Sequence, residues 1–273
     1  MRINVSRLQE FMKCPQKYKY RFEMGVVPRE EEREALDFGT KIHEGLRVWY
    51  QEKSVEGAVE TFNKTEPLEH PMRGYGEVMV RDYVKRYYLE DMVMRTVGVE
   101  QEMEAPFGGH ILQGRLDLIV EMEQAGGKHL WHVQHKTVGN TVGMENYVRQ
   151  YDLAWHERAY LVLAKHNGME TEGTILNILR KTKIPSFLRV YLPMTEELLR
   201  RFEEDFVKIM RLIEDREYRP QSPEACWNYQ RMCPDQSLCM GVPIMEEDWK
   251  EREPDYVDEA VEKDSEEAHE IGG

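Results

Sequence analysis

The chain has 273 residues, of which 41% are hydrophobic and 10% aromatic, and its formal net charge is −14. This length suits one elaborated α/β domain, and the aromatic content excludes a disordered chain. No apolar run approaches the roughly 20 residues that span a bilayer, and the N-terminus lacks the apolar region of a secretory signal. We therefore expect a soluble, cytoplasmic protein without a membrane partner.

The negative charge is concentrated at the C-terminal end. Residues 246–273 contain 13 acidic and 3 basic side chains, a net of −10, so the other 245 residues carry only −4. Because most of the chain is close to neutral, its charge does not exclude a nucleic-acid partner. We interpret 246–273 as an acidic, flexible tail that could contact a protein partner.

The predicted elements change type along the chain. Ser6 is predicted to cap a short helix that Cys14 and Pro15 end, and Thr195 is predicted to cap a later one. Helical spacing predicts the longer helices over 35–51, 75–88, 147–166 and 195–214. Period-two spacing predicts strands over 110–123, 130–137, 174–179 and 187–192. This order fits an α/β fold in which helices flank one mixed sheet.

Two of these strands carry polar side chains that suit a cation. Asp117 lies inside an apolar strand, where burying a carboxylate is costly unless a cation or a hydrogen-bond donor compensates it. Alternation places Gln134 and Lys136 on one face of the next strand, and a glycine-rich turn lets the two strands pair. Oxygen ligands suit hard divalent cations, and a lysine can orient an attacking water. The alternative is an edge-strand aspartate paired with Lys136.

At this point the sequence resembles the PD-(D/E)xK nucleases. Gly114–Asp117 followed by Gln134-x-Lys136 resembles their signature, and Gly39-x-x-x-His43 resembles their histidine motif. The opening segment Ser6–Tyr18 and the pattern His156-x-x-x-Tyr160 resemble further motifs. More narrowly, the layout resembles the RecB-type exonucleases with an iron–sulfur cluster. That branch includes CRISPR-associated exonucleases, the AddB nuclease domain and phage proteins.

The resemblance implies a single nuclease domain with a restriction-endonuclease-like core over residues 1–245. It implies that the protein hydrolyses DNA phosphodiester bonds from single-stranded or otherwise end-bearing DNA. His43, Asp117 and Gln134 would bind Mg²⁺ or Mn²⁺, and Lys136 would position and activate the water. The residues implied to touch DNA or to brace the site are Tyr160, His156 and Gln150.

Two positions depart from the family pattern. Gln134 stands where the family has Asp or Glu, so the site loses a negative charge and should bind a cation less tightly. His156 replaces a glutamine and can still form hydrogen bonds. The missing charge could come from Glu100, Glu102 or Glu104 on a neighbouring strand. The neutral side chain at 134 leaves a second hypothesis: a weak or inactive iron–sulfur protein that binds DNA or a protein partner. A third is that the acidic tail mimics DNA and restrains the enzyme.

The four cysteines are unevenly placed, with one at 14 and three between 226 and 239. An intracellular chain keeps its thiols reduced, so a bound metal explains the clustering better than disulfides do. Four thiolates suit a 4Fe–4S cluster or a zinc ion, and the spacing is looser than the paired CxxC motifs of structural zinc. The resemblance favours a structural 4Fe–4S cluster that joins the two chain ends, while zinc or no metal stays open. Its ligands would be Cys14, Cys226, Cys233 and Cys239.

Overall fold

A computed structural model describes residues 1–29, 34–64, 72–139, 143–216, 219–228 and 231–254. These residues fall into two compact units. The terminal unit consists of the described residues of 1–31, 104–114 and 201–273, and the central unit consists of those of 32–103 and 115–200. None of the helices in the described ranges combines the length and the apolar character needed to cross a bilayer.

The elements are numbered in chain order. The strands are β1 (Arg2–Asn4), β2 (Val26–Pro28), β3 (Arg95–Phe107), β4 (His110–Gln124), β5 (Gly127–Val138), β6 (Thr171–Arg180), β7 (Ser186–Pro193), β8 (Trp227–Asn228), β9 (Arg231–Met232) and β10 (Trp249–Glu251). The helices are α1 (Val5–Lys13), α2 (Pro15–Tyr18), α3 (Glu34–Glu52), α4 (Val55–Lys64), α5 (Met72–Met92), α6 (Met144–Arg149), α7 (Trp155–His166), α8 (Glu196–Glu214) and α9 (Gln236–Cys239). A π-helical turn, Lys19–Glu23, follows α2, and a 3-10 turn, Pro223–Cys226, precedes β8.

Six strands of the described residues form one mixed sheet in the order β1-β4-β5-β6-β7, and β3 also pairs with β4. The pairs β1–β4 and β5–β6 are parallel, whereas β4–β5 and β6–β7 are antiparallel. The turn from β4 to β5 contains Gly126 and Gly127, whose positive φ angles of 107° and 131° suit glycine. The predicted α/β fold with a mixed sheet flanked by helices is therefore confirmed.

Helices cover both faces of the sheet in the central unit. One core joins α3, α4 and α5 to Leu118, Val133 and Ile175 of the strands, which are at most 3% exposed. A second, smaller core on the other face contains Leu176 and Ile178 of β6 with residues of α6. Each such aliphatic side chain contributes about 1.5–3 kcal/mol when fully buried. The alternation in β6 therefore fixes which face meets which helices.

Several predicted boundaries are wrong in detail. The cap of α1 is Asn4, whose side chain accepts a hydrogen bond from the Arg7 backbone at 2.7 Å, whereas Ser6 is exposed inside the helix. The predicted helix over 147–166 is two helices, because the chain turns after α6 and buries Tyr151. Helix α4 was not predicted, and the bounds of β3 were not given, although a strand carrying Glu100, Glu102 and Glu104 was expected. The Thr195 cap is confirmed by its hydroxyl, which accepts from the Leu198 backbone at 3.3 Å.

The predicted acidic tail, 246–273, begins with residues that contain a strand. Residues Trp249–Glu251 form β10, which pairs with β2, and the Trp249 side chain is buried. The Arg29 backbone also donates to the Asp248 carbonyl at 2.9 Å. These residues are therefore part of the terminal unit and not of a flexible tail. The rest of the predicted tail, 255–273, lies outside the described residues.

Candidate active site

Helix α3 brings His43 to Asp117 on β4. His43 Nδ1 lies 3.2 Å from Asp117 Oδ2, and each side chain is about one-quarter exposed, at 26% and 24%. Burial opposes ionisation of Asp117, but the hydrogen bond and charge of His43 outweigh it and lower the pKa of Asp117 to about 2. The charges of His132 and Lys136 act in the same direction. The site is therefore built around an ionised carboxylate beside an imidazole.

The glycine of the Gly39-x-x-x-His43 motif has a physical role in this placement. A Cβ atom at position 39 would lie 3.3 Å from Thr137 Oγ1 on β5, which is tighter than an ordinary contact. Because Gly39 has no side chain, α3 can approach the end of β5 closely. His43 lies one turn further along the same helix. The close approach at Gly39 thus helps to set the distance from His43 to the strands.

The predicted pair on β5 is connected by a hydrogen bond. The side-chain amide of Gln134 satisfies both neighbours in one orientation: its oxygen accepts from Lys136 Nζ at 3.2 Å, and its NH₂ group donates to Glu157. Gln134 is only 4% exposed, so these partners are the ones its amide meets in the protein interior. The two strand residues therefore form one polar chain that ends on a carboxylate of α7.

That carboxylate, Glu157, is a site residue that the sequence analysis missed. Its Oε2 atom accepts from Thr174 Oγ1 at 2.9 Å and lies 3.5 Å from His132 Nδ1. Its Oε1 atom lies 3.2 Å from His156 Nε2. Burial opposes ionisation, but the hydrogen bonds with His132 and His156 lower the pKa of Glu157 well below its usual range. The signal for Glu157 was a charged residue on the buried side of an apolar helix.

A small recess opens beside Asp117, and among its lining residues are His43, Glu100 and His135. Glu100 on β3 has a φ of 47°, an uncommon conformation for a residue with a side chain. Burial and then the charge of Asp117 raise the pKa of Glu100, while Arg115, at 3.0 Å, acts against them. Burial also lowers the pKa of His135 well below its ordinary value, so this imidazole is neutral.

Among the three glutamates considered for the missing charge, the structure brings Glu100 alone to this recess. Glu102 is exposed. Glu104 belongs to the terminal unit, where Arg2 donates to it at 2.6 Å. The backbone conformation at Glu100 distinguishes these three positions, and a sequence pattern does not reveal it.

The residues predicted to touch DNA occupy different environments. His156 contacts Glu157, and its ring lies 5.3 Å from that of Tyr151. The ring of Tyr160 lies 5.5 Å from that of His132. Gln150 is exposed at the end of α6. The structure thus brings His156 and Tyr160 to the group around Glu157, and leaves Gln150 on the surface.

All four cysteines lie in the terminal unit, each at the end or edge of a short element. Cys14 separates α1 from α2 and is buried, whereas the other three are partly exposed. Burial raises the pKa of the Cys239 thiol, and the neighbouring thiols of Cys14 and Cys226 add to this effect. The Cys233 backbone donates to the Cys226 carbonyl at 2.7 Å. The cysteines are therefore neighbours, although they come from both ends of the chain.

The elements that carry the cysteines are tied together by buried polar contacts. Arg21 donates to both oxygens of Asp235, at 2.9–3.2 Å, and Asp235 is fully buried. Arg219 binds Glu23 at 2.7 Å. Within the described part of the chain, however, no group of three Cys, His, Asp or Glu side chains is arranged to hold a metal ion.

Comparisons with known proteins bear on the fold and the family of the chain. The family model described as the PD-(D/E)XK nuclease superfamily matches residues 2–240. A comparison with curated proteins found no match. Among solved structures, the chain is similar to a proposed exonuclease from Eubacterium rectale, with 14% sequence identity and a TM-score of 0.53. That match covers 93% of this chain and 90% of the other, and at this identity it shows the fold alone.

Proposed function

Because the chain belongs to the PD-(D/E)XK nuclease superfamily, we propose that it is a metal-dependent exonuclease that hydrolyses DNA phosphodiester bonds. The observation that carries the proposal is the approach of His43 to Asp117, at 3.2 Å, with Lys136 close enough for its charge to act on Asp117. These side chains come from a helix and two paired strands of the central unit. Such convergence of an imidazole, a carboxylate and a lysine supports hydrolytic chemistry at this place.

By residue type the donor set at this place suits a hard divalent cation, although its described side chains are not arranged around one. His43, Asp117 and Gln134 would hold Mg²⁺ or Mn²⁺, and Glu100 would add a second carboxylate from the side of the recess. Imidazole nitrogen together with carboxylate and amide oxygens is a ligand set that these cations accept. A bound cation would polarise the phosphoryl group and lower the pKa of the attacking water. Glu100 thereby offsets the charge that the neutral Gln134 does not supply.

Lys136 supplies the remaining positive charge of the site. Its ammonium group donates to the Gln134 amide at 3.2 Å, which limits the positions that the long side chain adopts. From there it would hold the attacking water and stabilise the charge that develops on the phosphoryl oxygens. Gln150, on the surface, would contact DNA, whereas His156 and Tyr160 would brace the group around Glu157.

The proposal places the protein in the RecB-like branch and includes a structural 4Fe–4S cluster on Cys14, Cys226, Cys233 and Cys239. Its support is the proximity of these thiols within the terminal unit, where Cys14 and Cys226 lie close enough to Cys239 to raise the pKa of its thiol. In a 4Fe–4S cluster each thiolate binds a different iron, so the sulfurs need not converge on one point as they do around zinc. When bound, the cluster would join the two chain ends through four covalent ligands.

The test is a nuclease assay on linear and circular DNA, single- and double-stranded, with Mg²⁺, Mn²⁺ or EDTA. We expect release of nucleotides from linear DNA with either metal, no cleavage in EDTA, and resistance of covalently closed circles. Lys136→Ala should lower the rate at least about 100-fold, because it removes the charge that acts in the transition state. Lys128→Ala is the matched control, since Lys128 lies on the same strand but is exposed and paired with Glu121.

Gln134 favours one alternative function: an inactive or weakly active iron–sulfur protein that uses the nuclease fold to bind DNA or a protein. No nucleotide release by the wild-type protein with either metal, together with measurable DNA binding, would favour this alternative. Equal rates for wild type and Lys136→Ala would reject the proposed catalytic site even if some cleavage is seen.

A further inference from the structure

Glu157 is a buried carboxylate that the hydrolytic chemistry itself does not use. It is 1% exposed, and four groups surround its two oxygens: the Thr174 hydroxyl, the His132 and His156 rings, and the Gln134 amide. Buried carboxylates are stable only when such partners replace the lost water. The surroundings of Glu157 are therefore built to hold one negative charge beside Gln134.

This charge determines which way the Gln134 amide points. An amide has a donor end and an acceptor end, and Glu157 can bind only the donor end. The oxygen then faces Lys136, whose ammonium group is a donor. In the opposite orientation, oxygen would face the Glu157 carboxylate and NH₂ would face the Lys136 ammonium, so both contacts would be lost. The pair Glu157 and Lys136 thus selects a single orientation of Gln134.

A glutamate at 134 would behave differently in the same place. Its carboxylate would meet that of Glu157 at hydrogen-bonding distance inside the protein, where like charges are poorly screened. Gln134 is the residue that allows one carboxylate to remain at this place, and that carboxylate belongs to α7 instead of β5. The neutral side chain at 134 is therefore matched to a charge at 157.

We propose that Glu157 is the positioning residue of the candidate active site: it binds the NH₂ group of Gln134 and turns the amide oxygen toward Lys136 and the place of the cation. The proposal rests on the proposed function for its consequence at the metal site, but the coupling between the two side chains does not depend on nuclease activity. It follows that Gln134→Glu alone does not improve this site, and that Glu157→Gln must accompany it.

The first experiment is a double-mutant cycle, measured by thermal unfolding, with Gln134→Glu, Glu157→Gln and the double variant. We expect each single variant to lower Tm by roughly 5–10 °C, because Gln134→Glu sets two buried carboxylates against each other, whereas Glu157→Gln removes the charge that Thr174, His132 and His156 surround. The double variant restores a carboxylate–amide pair and should recover most of that loss. The matched controls are Gln124→Glu and Glu170→Gln, which make the same chemical changes at exposed positions and should leave Tm unchanged.

The second experiment measures Mn²⁺ binding by calorimetry without DNA. Glu157→Gln frees the amide to reverse, so we expect Mn²⁺ to bind roughly 10-fold more weakly. The double variant places the charge on the strand and should bind Mn²⁺ at least as tightly as the wild type. A residue that only supports the packing of α7 would lower Tm without this pattern in Mn²⁺ affinity.

Two results would overturn the proposal: additive Tm losses in the double variant, or an unchanged Mn²⁺ affinity in Glu157→Gln. A wild-type protein that binds no Mn²⁺ would instead contradict the proposed function. The double-mutant cycle in Tm would then test by itself whether Glu157 binds Gln134. Because the cycle requires neither metal nor substrate, failure of one proposal is distinguishable from failure of the other.

Discussion

The central and the terminal unit differ in the partners that their charged and thiol side chains have within the protein. In the central unit, buried charged groups meet several partners from the protein: Asp91 is bound by Trp49, Tyr50 and Arg189 at 2.8–3.1 Å. In the described part of the terminal unit, the thiol of Cys233 makes a weak contact with Asp235, at 3.9 Å. The fold itself pairs the buried charges of the central unit, whereas by our proposal a bound cluster completes the cysteine region.

The largest effect should follow from removing one cysteine. Cys233→Ser should abolish absorbance near 400 nm, lower Tm by more than about 10 °C, and expose residues 219–254 to protease, because by our proposal the short elements there depend on the cluster. The measurements are iron content, the thermal transition and mapped proteolysis. Ser237→Ala, within α9, is the control and should retain iron. If Cys233→Ser contains no iron but is as stable as the wild type, then the terminal unit does not depend on a bound cluster and does not differ from the central unit in this respect.

The next effect concerns the central unit, whose stability should not depend on iron. Arg189→Met leaves the Asp91 carboxylate buried without its charge partner, and losing one member of a buried pair costs about 3–5 kcal/mol. Urea unfolding followed by tryptophan fluorescence would measure the loss, because Trp49 donates to Asp91. The control is Arg95→Met, which removes an exposed pair with Glu121 and should change stability little. Equal losses of unfolding free energy in Arg189→Met and Arg95→Met would contradict the argument that burial makes the Arg189 pair important.

Particular residues explain why some of this organisation could be predicted from the sequence. Alternation in β5 and the glycine turn before it were sufficient to pair Asp117 with the strand of Gln134 and Lys136, since strand geometry is local. The cap of α1 was misplaced by two residues because Asn4 and Ser6 are both good caps. The bounds of strand β3 were missed although Met103, Ala105 and Phe107 alternate with exposed residues, because acidic side chains dominate the segment.

The rest of the site depends on contacts that no local pattern contains. Glu157 binds side chains from β5 and β6, so its role appears only when α7 is packed on the sheet. The position of Glu100 depends on one left-handed backbone conformation in the middle of β3. The proximity of Cys14 to Cys239 depends on pairing between chain ends, such as that of β2 with β10. These are tertiary features, and a spacing rule cannot supply them.

A smaller effect should follow from a methyl group at Gly39. Gly39→Ala places Cβ against Thr137 Oγ1 and pushes α3 away from β5, so kcat/KM should fall roughly 10-fold through misplacement of His43. Stability should change by less than about 1 kcal/mol, since alanine favours the helix. The control, Gly74→Ala in α5, faces open space and should stabilise without loss of activity. Thr137→Ala in the Gly39→Ala background should restore the rate, and failure of this rescue would contradict the steric explanation.

The smallest effect sharpens the comparison within the central unit, because it separates stability from metal binding. A φ of 47° costs a residue with a side chain about 1 kcal/mol or more, which Glu100→Gly relieves. We expect Tm to rise by about 2–4 °C while Mn²⁺ binds several-fold more weakly, because the recess loses a carboxylate. Lys53→Gly, at a φ of 54°, also relieves backbone strain and should leave Mn²⁺ affinity unchanged. If Glu100→Gly raises Tm without weakening Mn²⁺ binding, the Glu100 carboxylate is not part of the metal site.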